Sequence, residues 1–125
     1  HAAEAIGFPP EQVFKTLVAR GLKTGINIFC IPVCCELDLK KAAKAVGEKK
    51  IDMLKAKDLL PLTGYIHGGC SPIGMKKNFR TVFHTTAKDN DTIIFSGGKV
   101  GYQVEVALND ISKIIRYEIS DITED

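Results

Sequence analysis

The chain has 125 residues, 45% hydrophobic and 26% charged, enough for one globular domain with its own core, which excludes a mainly disordered or collagen-like polypeptide. Seventeen Lys+Arg against fifteen Asp+Glu leave a net charge of +2, too little for a dedicated duplex-DNA-binding protein. No apolar run approaches the roughly 20 residues of a membrane helix, and no basic start, apolar stretch and small-residue cleavage site marks a secretory leader, so no membrane partner is expected.

The chain opens at His1, without Met, on a helix-like Ala-Ala-Glu-Ala-Ile-Gly segment ended by Pro9-Pro10, and this reads as the start of a fragment or a processed chain. Residues 13–19 and 26–33 follow as strands, rich in β-branched and aromatic residues and joined across two glycines. Strand alternation puts Lys15 on the apolar face of Val13, Leu17 and Ala19. Its ammonium then either snorkels to water or lines a pocket and awaits an anion, for which phosphate is well suited. Asp38 is placed to cap a helix whose apolar stripe is Leu39, Ala42, Ala43 and Val46, with Gly47 as its stop. Lys40, Lys41 and Lys44 point away from that stripe. They belong to a run of seven lysines between residues 40 and 57 that is either a phosphate-tracking patch or a solvated helix face and polar loop.

Residues 51–54 read as a short strand and 56–60 as a short helix halted near Pro61. A turn-rich loop covers 63–74, and a further strand covers 80–83. Strands at 92–96 and 102–107 flank the Ser96-Gly97-Gly98-Lys99-Val100-Gly101 loop; Tyr102, Val104 and Val106 alternate there with Gln103 and Glu105. Asn109 is expected to cap a helix with Ile111, Ile114 and Ile115 on one side, and residues 117–122 form a last strand. The class is α+β, with one mixed or predominantly antiparallel sheet.

Seven of the eleven glycines fall between residues 64 and 101. Consecutive glycines leave backbone amides unshielded, and Pro72 fixes its own φ and restrains Ser71. The loop through Gly68, Gly69, Ser71 and Pro72 can therefore aim amides at a carbonyl or phosphate oxygen, or be a tight surface turn with no ligand. It has neither the order of a Walker loop nor a Gly-x-Ser-x-Gly elbow. Cys30, Cys34, Cys35 and Cys70 have no zinc-site spacing and read as reduced thiols of a cytosolic protein; Cys70 is a packing residue before it is a nucleophile, although His67 is close in the chain. His67 and His84 complete no recognisable triad.

Four stretches taken together resemble a known family: Phe14-Lys15-Thr16-Leu17; Leu37-Asp38-Leu39-Lys40-Lys41-Ala42-Ala43; Thr63-Gly64-Tyr65 through Gly68-Gly69-Cys70-Ser71-Pro72-Ile73-Gly74 with Lys76-Lys77; and Ser96 to Gly101 before Val104-Glu105. In order and spacing, over nearly the whole chain, they are similar to the YbaK-like free-standing aminoacyl-tRNA editing domains, on their Cys-tRNA(Pro) deacylase branch. The resemblance implies one editing domain over residues 1–125, an α+β fold with a mixed, barrel-like sheet flanked by short helices, and a cytoplasmic enzyme without cofactor or metal. The implied activity clears cysteine mischarged on tRNA(Pro), with Cys-tRNA(Cys) as a further substrate, and the implied partners are the tRNA 3′ end and a transient complex with prolyl-tRNA synthetase. Catalytic roles carry over to Lys15, Gly68 and Gly69, and substrate contacts to Thr16, Ser71, Pro72, Ser96 and Gly97. The family further implies that the substrate's own thiol attacks its carbonyl and leaves as a cyclic thiolactone. An Ala-tRNA(Pro) deacylase and a non-catalytic RNA- or nucleotide-binding module are the rival readings. Two departures are visible: Cys70 stands where the family has an aliphatic residue, and the family's N-terminal strand and pocket aromatic have no counterpart after His1.

Overall fold

The computed structural model describes residues 7–125; the helix-like opening segment falls almost wholly on residues 1–6, outside the described residues. Strands β1 (Phe14–Gly21) and β2 (Gly25–Pro32) form an antiparallel hairpin in continuous register from Phe14↔Pro32 to Gly21↔Gly25. Next come helix α1 (Leu39–Val46), strand β3 (Ile51–Met53), helix α2 (Ala56–Thr63), strand β4 (Arg80–His84) and a 3₁₀ turn at Thr85–Asp89. Strands β5 (Ile93–Ser96) and β6 (Gln103–Val106), helix α3 (Leu108–Ile111) and strand β7 (Glu118–Ser120) complete the chain.

Five strands form a mixed sheet in the order β3-β1-β2-β4-β7, with β4 parallel to both its neighbours. The α+β class with a mixed sheet agrees with the sequence reading. The sheet stays open, and β5 and β6 form a separate antiparallel ribbon tied to β1 by one bridge, Val13↔Ile94. Both faces of the large sheet are covered, which is why β2 reads as an unbroken apolar run rather than an alternating one. Phe29, Ile31 and Val82 meet Ala42, Ala43 and Val46 of α1 on one face. Phe14, Val18, Ile28 and Phe83 meet Leu59 of α2, Ile93 and Phe95 of the ribbon and Ile111 of α3 on the other.

Helix α1 follows the expectation closely. The Asp38 carboxylate accepts the Lys40 and Lys41 amides at 2.9 and 3.0 Å, and the Gly47 amide returns to the last turn. Lys41, however, is not a free surface lysine: its Nζ donates to the Thr123 carbonyl at 2.8 Å and pairs with Asp121 and Asp125. Pro61 lies inside α2 instead of halting it; its missing amide removes one ladder bond, and the helix continues until the Gly64 amide reaches the Leu60 carbonyl at 2.9 Å. Asn109 sits within α3 and does not cap it. The Ala107 carbonyl opens that helix, accepting from Asp110 and Ile111 at 2.9 and 3.1 Å. Because α3 ends at Ile111, Ile114 turns outward and is exposed. Among the described residues no helix is long and apolar enough to cross a membrane.

His84 ties the end of β4 to the C-terminal segment. Its Nδ1 accepts the Ile122 amide at 3.1 Å and its Nε2 lies 3.2 Å from the Thr123 hydroxyl, so the neutral ring with Nε2–H satisfies both partners. Burial lowers its pKa, against the opposing pull of Asp121 and with Lys41 adding to the lowering. A folded-state pKa below the unfolded value favours the neutral ring on folding. This contribution is fully present above the unfolded pKa of about 6.5 and is lost as pH falls through the folded value. Thermal melts between pH 7.5 and 5 should show the native protein losing stability on acidification below about pH 6.5 more steeply than His84→Asn, whose amide oxygen can accept the same N–H without titrating. Parallel pH profiles for the two proteins would reject this role.

Candidate functional site

Three parts of the fold converge on one cavity of about 430 Å³. The first is β1. On its outer edge β3 pairs only with Ala19 to Gly21, and the ribbon's one β-bridge is at Val13. The intervening stretch therefore has β2 on one side and the cavity on the other, and every residue from Val13 to Val18 lines it. The second part is the loop after α2, which contributes His67, Gly68 and Cys70; the third is the ribbon, where Ser96 and Gln103 are direct register partners.

The two glycine loops are packed against each other. A Cβ on Gly69 would come within 3.2 Å of the Val100 nitrogen and 3.3 Å of the Lys99 carbonyl carbon, so glycine at 69 is what lets the two backbones approach. Gly68 has φ +85°, a left-handed conformation that side chains resist, and its missing Cβ faces Val100 at 3.6 Å. Around this contact the loop is braced from within. The Tyr65 hydroxyl donates to the Ile73 carbonyl at 2.6 Å, and the Thr63 hydroxyl donates to the Leu59 carbonyl at 2.7 Å while accepting the Tyr65 amide at 3.0 Å.

The site residues expected from sequence occupy three kinds of position. Lys15, Thr16, Gly68 and Ser96 all line the cavity. Gly69, Ser71 and Gly97 stand behind its wall. The Gly69 amide is already donated to the Ile66 carbonyl at 3.0 Å, the buried Ser71 hydroxyl accepts the Ile73 amide at 3.3 Å, and the Gly97 amide donates to the Tyr102 carbonyl at 2.8 Å. Pro72 is buried and forms part of a second cleft on the other side of the loop. The Gly68 amide, by contrast, meets no acceptor among the described residues.

Among the described residues, Lys15 is the one Lys or Arg lining the cavity, and no carboxylate lines it. Lys15 is half-buried and no described carboxylate pairs with it. The nearby thiols are held protonated: burial pushes Cys70 up to about 11 and Cys30 up to about 12, in each case against the smaller opposing effect of a threonine hydroxyl, Thr63 and Thr16 respectively. Cys35, just past β2, is also raised by burial and by its neighbour Cys34, while the charge of Lys15 acts in the opposite direction. Among the described residues no group of three or more His, Cys, Asp or Glu side chains is placed to hold a metal ion.

Gln103 and His67 also line the cavity, although neither is among the site residues expected from sequence. The Gln103 amide oxygen is buried and has no hydrogen-bond donor among the described residues, a state that costs free energy unless a ligand group fills it. A signal for it existed: closing the ribbon symmetrically around a loop of residues 97–102 pairs Ser96 with Gln103 and puts both on the same face.

Residues 1–114 match the model of the aminoacyl-tRNA editing domain family. A curated relative from Enterococcus faecalis, provisionally named Cys-tRNA(Pro)/Cys-tRNA(Cys) deacylase EbsC, is 50% identical over 121 residues, which span 97% of this chain and 74% of the relative. Among solved structures, a protein described provisionally as a trans-editing enzyme for prolyl-tRNA synthetase has a TM-score of 0.89 over 99% of this chain and 78% of its own, at 24% identity. A hypothetical protein of known structure has the same score over 98% and 81%, at 21% identity. These structural likenesses concern the fold alone.

Proposed function

Because this chain belongs to the aminoacyl-tRNA editing domain family, we propose that it is a deacylase that clears cysteine from mischarged tRNA(Pro), and from tRNA(Cys) as a second substrate. What carries the reading is one convergence: Lys15, Thr16, Gly68 and Ser96, from the segments that bear the family's motifs, line a single cavity in a chain half identical to a relative provisionally named for that activity. Acting on aminoacyl-tRNA, it works in the cytoplasm, and a transient complex with prolyl-tRNA synthetase would present the mischarged tRNA(Pro).

The aminoacyl ester enters the cavity with its carbonyl oxygen toward the Gly68 amide, a donor in that wall with no partner among the described residues. Lys15 supplies the positive charge for the terminal phosphate of the 3′ adenylate, as a point charge in a half-buried setting. Ser96, whose Oγ accepts the Gly98 amide at 3.2 Å, retains its hydroxyl proton for the ribose or the carbonyl. The Gln103 amide oxygen offers an acceptor to the substrate ammonium. The nucleophile is the substrate's own thiolate. Its sulfur bonds to the carbonyl carbon, the bond from that carbon to the ribose oxygen breaks, and the thiol proton ends on that oxygen, so a thiolactone departs without water being consumed. Such a thiol, with a pKa of about 8.5, is about 3% thiolate at pH 7, whereas the protein's own Cys70 is nearly all thiol.

A panel of tRNA(Pro) charged with cysteine or alanine tests the assignment. Cysteine should be released at least about 1,000-fold faster, the discrimination expected when only one substrate brings its own nucleophile. Equal release of alanine would replace this reading with the Ala-tRNA(Pro) deacylase; tRNA binding with no release of either would leave an RNA-binding module.

A further inference from the structure

On the far side of the Gly68–Pro72 loop from the cavity runs a second cleft, of about 530 Å³, between residues 72–81 and residues 114–118. Its charge is unbalanced. Three cations line it (Lys77, Arg80 and Arg116) against a single carboxylate, Glu118. That carboxylate is held by Arg80 in a bidentate pair at 2.7 and 2.9 Å, while Arg80 also donates to the Val46 and Ala45 carbonyls at 3.1 and 3.4 Å. Arg80 and Glu118 therefore neutralise each other and fasten the end of α1 to the cleft floor. Lys77 and Arg116 remain, both exposed and with no described carboxylate partner, beside an Ile114 side chain that is 61% exposed.

We propose that this cleft seats the sugar-phosphate backbone of the tRNA acceptor end, with Lys77 and Arg116 on successive phosphates. The inference rests on the deacylase reading above for the identity of the RNA, but its charge argument stands on the cleft alone. Two unneutralised cations in a concave surface suit a polyanion, and a pair at one surface is poorly suited to anything of like charge. The cleft shares a wall with the cavity: Pro72 and Gly74 line one, Gly68 and Cys70 the other, with Ser71 buried between them. An ester bond in the cavity thus leaves the rest of the nucleic acid about one loop thickness from the two cations. Arg80 in turn holds the C-terminal end of α1, through the Ala45 and Val46 carbonyls, at the edge of the same cleft.

The test compares the full chain with Lys77→Gln/Arg116→Gln, binding an uncharged tRNA(Pro) transcript by fluorescence anisotropy at several salt concentrations. Losing two phosphate contacts should lower the slope of log K against log[salt] by about 1.4–1.8 and weaken binding at least about tenfold near 0.1 M salt. With Cys-tRNA(Pro), KM should rise by a similar factor at unchanged kcat, and cleavage of the small ester cysteine methyl ester should stay the same. An unchanged salt slope and KM in the folded double variant would overturn the assignment, including the case where those residues instead dock a protein. Failure of the native chain to deacylate Cys-tRNA(Pro) would sink the deacylase reading, and the salt slope would still decide the cleft.

Discussion

Replacing Lys15 by methionine is expected to lower kcat/KM for Cys-tRNA(Pro) by at least about 100-fold while leaving the melting temperature within a few degrees of native. A 100-fold loss corresponds to about 2.7 kcal/mol, within reach of one cation facing an anion about 4 Å away at an effective dielectric near 20. Methionine keeps the length and apolar stem of the side chain, so the part of β1 that packs with Leu17 and Ala19 is preserved and only the charge is removed. Since no described carboxylate pairs with Lys15, its removal orphans no described partner, and the loss should appear in activity and not in stability. Arginine at the same position should recover part of the rate, because it restores charge but not the compact ammonium. Gly68→Ala should cost a comparable factor by a different route. At φ +85° an alanine costs about 1–2 kcal/mol, and relaxing that strain turns the free amide away from the carbonyl. Its new methyl meets Val100 at an ordinary contact distance, so the variant should still fold. A folded Lys15→Met protein with native kcat/KM would remove Lys15 from the machinery.

The parts of this fold that sequence made legible are those fixed locally. Asp38, the stripe of Ala42, Ala43 and Val46, and Gly47 specify α1 within ten residues, and the structure follows them. The β1 and β2 runs were clear for the same reason, since β-branched and aromatic residues recur between turn signals. What local pattern leaves open is decided by distant partners. Pro61 reads as a stop because proline disfavours helix on its own, yet packing of Leu59 into the core holds α2 through it. The alternation along β6 leaves open what Gln103 faces, yet the bridge from Val13 to Ile94 turns that face of the ribbon toward β1 and makes Gln103 a cavity wall. The glycines needed both kinds of information. That residues 68 and 69 mark a site is visible in sequence, but their division of labour is not. Gly68 carries an unpartnered amide, whereas the Gly69 amide is committed to Ile66 and that glycine exists for the contact with Lys99 and Val100.

The nucleophile is the most consequential assignment, and pH separates the candidates. If the substrate's thiol attacks, log kcat should rise with unit slope as pH increases and level off near that thiol's ordinary pKa of about 8.5. If Cys70 attacked, the rise would continue toward about 11, because burial holds its proton to that pH. Cys70→Ser should therefore keep kcat within about threefold of native, its cost confined to stability, since a buried thiol that packs as a small hydrophobe is replaced by a hydroxyl needing a partner. Charging tRNA(Pro) with serine instead of cysteine should do the opposite and slow release by at least about 1,000-fold. Well-oriented intramolecular attack is worth about 7–11 kcal/mol, and a hydroxyl is scarcely ionised at neutral pH and cannot use that proximity. The two substitutions alter one sulfur each, one in the protein and one in the substrate. A folded Cys70→Ser protein without activity, or rapid turnover of the serine ester, would transfer the attack to a group of the protein or to water.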